Sequence, residues 1–486
     1  MRLLFLRRPA AVVRSAASSS RVNLSVSSFR TLPDVQQQHQ HCRHTLKKTI
    51  LGSQFAPQNQ SRPRSTMSSQ PAHPTLLIPG PIEFDDAVLQ CLLPSYEHDG
   101  HELTRIVSPS ESHVGAGFVA TFGETLSRLR QLFQTTNPAS QPFVISGSGT
   151  LGWDLVAVNL VEPGENALVL STGYFGDGFA DCLRVYGANV TKLDGPIGGR
   201  PQLPDIEKAL RENKYKVLTV THVDTSTGVL SELKSLAATV KRVSPETLVI
   251  VDGVCSVACE ELAFDEWGLD GVVTAGQKAI GCPAGLSISM FSGRAIEAVK
   301  NRKTEPATYF ASMKRWLPSE LAIHRLRCSR WSRQANNLAV MQNYEAKKPS
   351  YFATPSPQLI HALNTALKQI LARPLAERFQ KHIEVSDRVK KTVTGLGLAI
   401  VASKPEDQSH AMTAIYLPEK IAIPDLLPRL LNKGIIFAGG IHKEIGTKYV
   451  RFGHMGVTAV DPKRNDVDNA LKALQDALTE CGYKQA

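Results

Sequence analysis

"FVISGSGTLGWDLVAVNLV", residues 143 to 161, sets an apolar strand, a glycine-rich turn and an apolar helix in immediate succession. Gly147, Gly149 and Gly152 fit G-x-G-x-x-G, and the backbone N–H groups of Ser148, Gly149 and Thr150, opening a helix, make an anion site. A dinucleotide site would also need an acidic residue about 20 positions further on, at the end of the next strand, to bind the ribose. That strand ends "VLSTGYFG" (169–176) and carries no carboxylate there. The turn therefore reads as a cup for some other phosphate.

Outward from this stretch, apolar runs of about five alternate with segments of helical period. Strands are expected at 142–146, 166–171, 189–194, 216–223, 247–252, 271–276 and 285–292, with helices at 150–161, 176–187, 203–213 and 232–243. The alternation predicts an α/β domain whose mostly parallel sheet is covered on both faces, with functional residues at the carboxyl ends of its strands; that the sheet is mixed is implied only by the family resemblance given below. From residue 374 the pattern changes to helix 375–397, strand 411–418, helix 423–434 and strand 448–454, a smaller α+β domain. The expected organisation is a presequence and linker over 1–66, an N-terminal arm with the large domain over 67–373, and the small domain over 374–486.

The chain has 486 residues and a formal charge of +11, but the charge is local. Residues 1–82 hold eleven Lys/Arg against one acid, Asp34, so the remainder is close to neutral and attraction to nucleic acid is not implied. The opening "MRLLFLRRPAAVVRSAASSSRVNLSVSSFR" is rich in Arg and Ser and free of acids, as mitochondrial presequences are, so a matrix location is expected. A start at Met67 would give a cytosolic or peroxisomal form. No apolar run reaches the roughly 18 to 20 residues of a membrane span. Eight cysteines lack paired spacing, and Cys255 and Cys259 read as core residues with no metal set around them.

Three further stretches say what the phosphate carries. "LVIVDGVCS" (248–256) places Asp252 at the end of an apolar strand, where a bare carboxylate is costly and a cationic partner is expected. "VVTAGQKAIGCPAG" (272–285) places Lys278 between an apolar strand and small residues, an environment that disfavours the ammonium form. "TGYFG" (172–176) supplies the ring of Phe175 on a strand-end loop. Singly, each has an ordinary reading as a solvated lysine, a helix cap or a core aromatic. Together they supply what pyridoxal 5'-phosphate (PLP) requires: an amine for the aldehyde, a carboxylate for the ring nitrogen, an aromatic face and a phosphate cup.

The blocks "TLLIPGPI", "SGSGTLGWD", "THVDTSTGVL", "VDGVCS", "GQKAIG", "YFATPSPQLI", "AGGIHKEIG" and "VRFGHMGVTA" resemble, in order over about residues 75–480, the fold-type-I aminotransferases of the alanine–glyoxylate / serine–pyruvate group, most of all its fungal alanine–glyoxylate members. The resemblance implies that Lys278 bonds the cofactor and Asp252 faces its ring nitrogen. It implies that Phe175 stacks on the ring where the family often has Trp, that Ser148, Gly149, Thr150 and Gln277 hold the phosphate, and that Thr225 lies near the ring. It further implies that Tyr351 and Thr354 reach the phosphate of the other subunit of a homodimer, and that Arg451 grips the substrate carboxylate, a task suited to its planar fork. The implied reaction is ping-pong transamination of alanine and glyoxylate to pyruvate and glycine. Serine–glyoxylate or serine–pyruvate exchange is the alternative within the class. A fold-type-I lyase and a PLP-binding protein without activity are alternatives outside it; a desulfurase would need a mobile reactive Cys, for which Cys481 is poorly placed.

The chain departs from the resemblance at three places. Gly276 stands where the family usually has Ser. Segments 96–110 and 319–339 interrupt well-matched blocks and fit neither neighbour's periodicity, which points to retained introns rather than surface loops. Sequencing of the spliced message separates these.

Overall fold

The computed structural model describes residues 70, 73–91, 111–317 and 340–484. Residues 1–66, where a presequence and linker are expected, and the segments 96–110 and 319–339 lie outside the described residues.

The central sheet contains β2 (Gln141–Ser146), β3 (Asn166–Ser171), β4 (Asn189–Asp194), β5 (Val217–Thr221), β6 (Leu248–Asp252), β7 (Gly271–Ala275) and β8 (Leu286–Phe291), in the spatial order β2-β8-β7-β6-β5-β3-β4. All neighbours pair in parallel except β8, which runs antiparallel to both β2 and β7. The inner strands β5, β6 and β7 are buried along their whole length, as a sheet covered on both faces requires. The edge strand β4 is partly exposed and carries Lys192, a charge that discourages further pairing.

Helices α1 (Ala116–Leu132), α2 (Thr150–Leu160), α3 (Tyr174–Val185), α4 (Leu203–Glu212), α5 (Leu233–Val243) and α6 (Gly293–Lys300) belong to this part of the chain. The helix α2 is apolar nearly all round, and residues 155–160 are all buried. The others bury one stripe each, such as Ile206, Ala209 and Leu210 of α4. The helix α7 (Pro357–Ile370) packs its buried stripe into the same core.

A second hydrophobic core gathers α8 (Leu375–Gly395), α9 (Ile423–Asn432), α10 (Asp466–Glu480) and one face of β9 (Met412–Tyr416) and β12 (Tyr449–Gly453). One side chain in it comes from far upstream, Leu77. It follows β1 (Thr75–Leu76), which pairs in parallel with β10 (Ile435–Ile436). The strand β12 pairs with β9 on one side and with the short β11 (Ala438–Gly439) on the other. Among the described residues no helix is long and apolar enough to cross a membrane.

Candidate active site

Six of the seven strands end at one edge of the sheet, and most of the expected residues stand on the connections that follow five of them, β2, β3, β5, β6 and β7. The turn after β2 leads into α2, whose N-terminus has no side-chain cap. The N–H groups of Ser148, Gly149 and Thr150 find no acceptor among the described residues, and the Ser148 hydroxyl donates only to Thr150 Oγ1 (3.0 Å). An added Cβ at Gly152 would stand 2.7 Å from Val273 of β7, so glycine lets α2 lie close against the sheet with its uncapped end at this edge.

Asp252 ends β6 at 2 % exposure. Its Oδ2 accepts from Trp153 Nε1 and its Oδ1 from the Val254 N–H, both at 3.0 Å. Two neutral donors of the chain thus hold the carboxyl in place. This is consistent with burial pushing the carboxyl up to about 6, against the pull of those two hydrogen bonds. Trp153 is held in turn by stacking on Phe179 (5.4 Å, 12°).

Lys278 follows β7. Burial lowers its pKa, and its Nζ donates a short hydrogen bond to the Pro79 carbonyl. Gly80, at φ +102°, leaves the room: a Cβ there would overlap the Lys278 side chain. The neighbouring Gln277 has a buried Oε1 with no partner. At Gly276 a serine Cβ would stand 2.7 Å from Cys282 Sγ, so the thiol occupies the space that the expected serine would take.

Phe175 lies not on a loop but in the first turn of α3, its ring edge-on to Trp153 at 6.4 Å. The buried Asp224 caps that turn from a distance, taking the N–H groups of Phe175 (3.2 Å) and Gly176 (3.4 Å) on Oδ2 and the Ser226 hydroxyl (2.6 Å) on Oδ1. Thr225, buried beside it, accepts from Arg451 Nη1 (3.3 Å) through its carbonyl. Arg451, on β12, gives its Nε to the Gly439 carbonyl (2.7 Å), and burial lowers its pKa. No carboxylate among the described residues pairs with it.

Tyr351 and Thr354 stand apart. Tyr351 is 52 % exposed with its ring 5.0 Å from that of His113, and no described hydrogen bond or ring contact joins either residue to Lys278, Asp252 or Arg451. Sequence reasoning passed over Trp153, Pro79, Gly80 and Asp224. Only Trp153 carried a signal, because a buried indole N–H needs an acceptor.

An uncapped helix end, a desolvated amine and a buried carboxyl at one sheet edge fit a phosphorylated aldehyde with a basic ring nitrogen. The chain belongs to the aminotransferase class-V family, whose model matches residues 77–313. Over 413 residues it is 44 % identical to alanine–glyoxylate aminotransferase 1 of Saccharomyces cerevisiae, covering 83 % of this chain and 97 % of that one. It is also 27 % identical to the L-aspartate–glyoxylate aminotransferase of Paracoccus denitrificans, over 78 % of this chain and 86 % of the relative. Among solved structures it superposes on an alanine–glyoxylate aminotransferase from Nostoc sp. with a TM-score of 0.70 at 28 % identity, covering 84 % of this chain and 96 % of that chain.

Proposed function

We propose that this chain transfers the amino group of L-alanine to glyoxylate, giving pyruvate and glycine, with PLP as cofactor. The observation that carries the reading is the convergence of Lys278, Asp252 and the uncapped end of α2 on one sheet edge, in a chain 44 % identical to a named alanine–glyoxylate aminotransferase. The N–H groups of Ser148, Gly149 and Thr150 would hold the phosphate, with Gln277 beside them and Phe175 against the ring. Bound there, the cofactor supplies an electron sink for the substrate's Cα.

The chain's own residues do the rest. Burial lowers the pKa of Lys278 and so favours its amine form; Nζ would bond the cofactor, be released by the incoming amino group, and then carry the proton between the substrate's Cα and the cofactor carbon that bore the aldehyde. The Pro79 carbonyl offers the displaced amine a resting partner. Asp252 keeps a proton on the ring nitrogen. Arg451, without a carboxylate of its own, receives the substrate's.

The exposed Tyr351 and Thr354 support a homodimer in which each subunit completes its partner's phosphate site. The basic presequence supports a mitochondrial location. The test is a donor panel of alanine, serine and aspartate with glyoxylate, run beside Lys278→Ala. Glyoxylate-dependent pyruvate from alanine, and loss of both turnover and the lysine-linked absorbance band in the variant, are expected. Serine as the preferred donor would reassign the substrate, and bound cofactor without turnover would defeat the reading.

A further inference from the structure

Arg378 occupies a position that stability alone would not select. It sits near the N-terminus of α8, where the helix dipole disfavours a cation, and no carboxylate among the described residues lies within ion-pair distance. Its guanidinium is nevertheless turned inward, and burial lowers its pKa to about 10. A desolvated cation without a counter-charge is costly. What it receives instead is two carbonyls from different loops: Nε donates to Ala258 O (2.7 Å) and Nη2 to Ala279 O (2.8 Å).

Both acceptors sit on the cofactor turns. Ala279 follows Lys278, and Ala258 closes the turn that begins at Asp252. Ala258 is held at φ +73°, a conformation that a residue with a Cβ seldom keeps unless its surroundings impose it. A third link fixes Arg378 itself. Its carbonyl accepts from His382 Nδ1 (2.8 Å), and His382 Nε2 accepts from the Gly456 N–H (3.1 Å), just beyond the strand that carries Arg451. Burial holds His382 down to about 3, so the ring is neutral and one tautomer satisfies both bonds.

We propose that Arg378 is a positioning residue that sets the Asp252 turn and the Lys278 turn in register with each other and ties both to the end of β12. The inference rests on the reading of Lys278 and Asp252 as the cofactor's partners. A planar fork can span two carbonyls on separate loops, whereas a lysine ammonium at the same place is a single point donor.

The test compares the native full-length chain with Arg378→Lys, and with Arg378→Gln should the lysine variant fail to fold. Hydrogen exchange of the cofactor-free proteins is read over 253–260 and 276–283, with β3 and β5 as internal standards. In the variants both turns are expected to exchange on the order of tenfold faster while the standards keep native rates. In the same variants PLP affinity falls on the order of tenfold, and the pH midpoint of the lysine-linked band moves. Adding Ala258→Gly restores slow exchange to 253–260 alone, since glycine adopts the left-handed conformation without being forced. Native exchange rates at both turns in the variants would overturn the proposal. Failure of the native chain to bind PLP would instead overturn the cofactor reading and leave the exchange result standing.

Discussion

Replacing Asp252 by Asn should make the cofactor-free protein more stable at pH 8 while abolishing tight PLP binding. Burial raises the carboxyl from its ordinary 3.8 to about 6. At about 1.4 kcal/mol per pH unit, ionised Asp252 costs the folded state about 3 kcal/mol at pH 8. Below the unfolded value the carboxyl is protonated in both states and costs nothing; the penalty grows as pH rises and is complete above the folded value. An asparagine can accept only one of the two N–H groups now aimed at Asp252, from Trp153 and Val254, and the orphaned donor costs about 1 kcal/mol. The variant should therefore gain about 2 kcal/mol at pH 8, and only about half a kcal/mol at pH 5. Urea unfolding of both cofactor-free proteins at the two pH values measures this. A variant no more stable than the native chain at pH 8, or a difference that does not change with pH, would refute the argument from burial.

Trp153→Phe removes one of the two hydrogen bonds that hold Asp252 down, so its pKa should rise further and the acid limb of PLP binding move up by on the order of one pH unit, seen in binding constants measured from pH 5 to 8. Gly276→Ser drives a Cβ against Cys282 Sγ and should cost about 1 to 3 kcal/mol in urea unfolding. Adding Cys282→Ala should recover much of that loss, because the thiol is what fills the serine's place.

Lys278 and Asp252 were legible because each follows a wholly apolar strand, and such strands deliver their ends to one edge of a parallel sheet. The two N–H groups that hold Asp252, those of Trp153 and Val254, were not legible. Trp153 lies within the glycine-rich stretch itself, but its acceptor is 99 residues away, beyond the reach of any local pattern. Phe175 was read onto a loop because the helix was expected to begin at 176; it begins at Tyr174, where Asp224 from the β5 connection accepts the N–H groups of Phe175 and Gly176. The antiparallel run of β8 was equally hidden, since a buried strand has the same periodicity in either direction. Arg378 shows the same limit from the other side: periodicity marks α8 as a helix, but an arginine aimed at two carbonyls spells the same as one in solvent.

The pairing of β1 with β10 bears on how the chain is made. Thr75 leaves the ribosome long before its partner Ile435, 360 residues later, and Leu77 waits as long for the core it completes. The large sheet from β2 to β8 can assemble during synthesis, but the segment that brings the Pro79 carbonyl to Lys278 is tied to it on one side only, through the Ile82 N–H and the Gln277 carbonyl (3.2 Å), until β10 and the C-terminal core hold β1 and Leu77 on the other. A nascent chain stalled between residue 278 and β10 would therefore carry both the lysine and the aspartate and still lack a finished site.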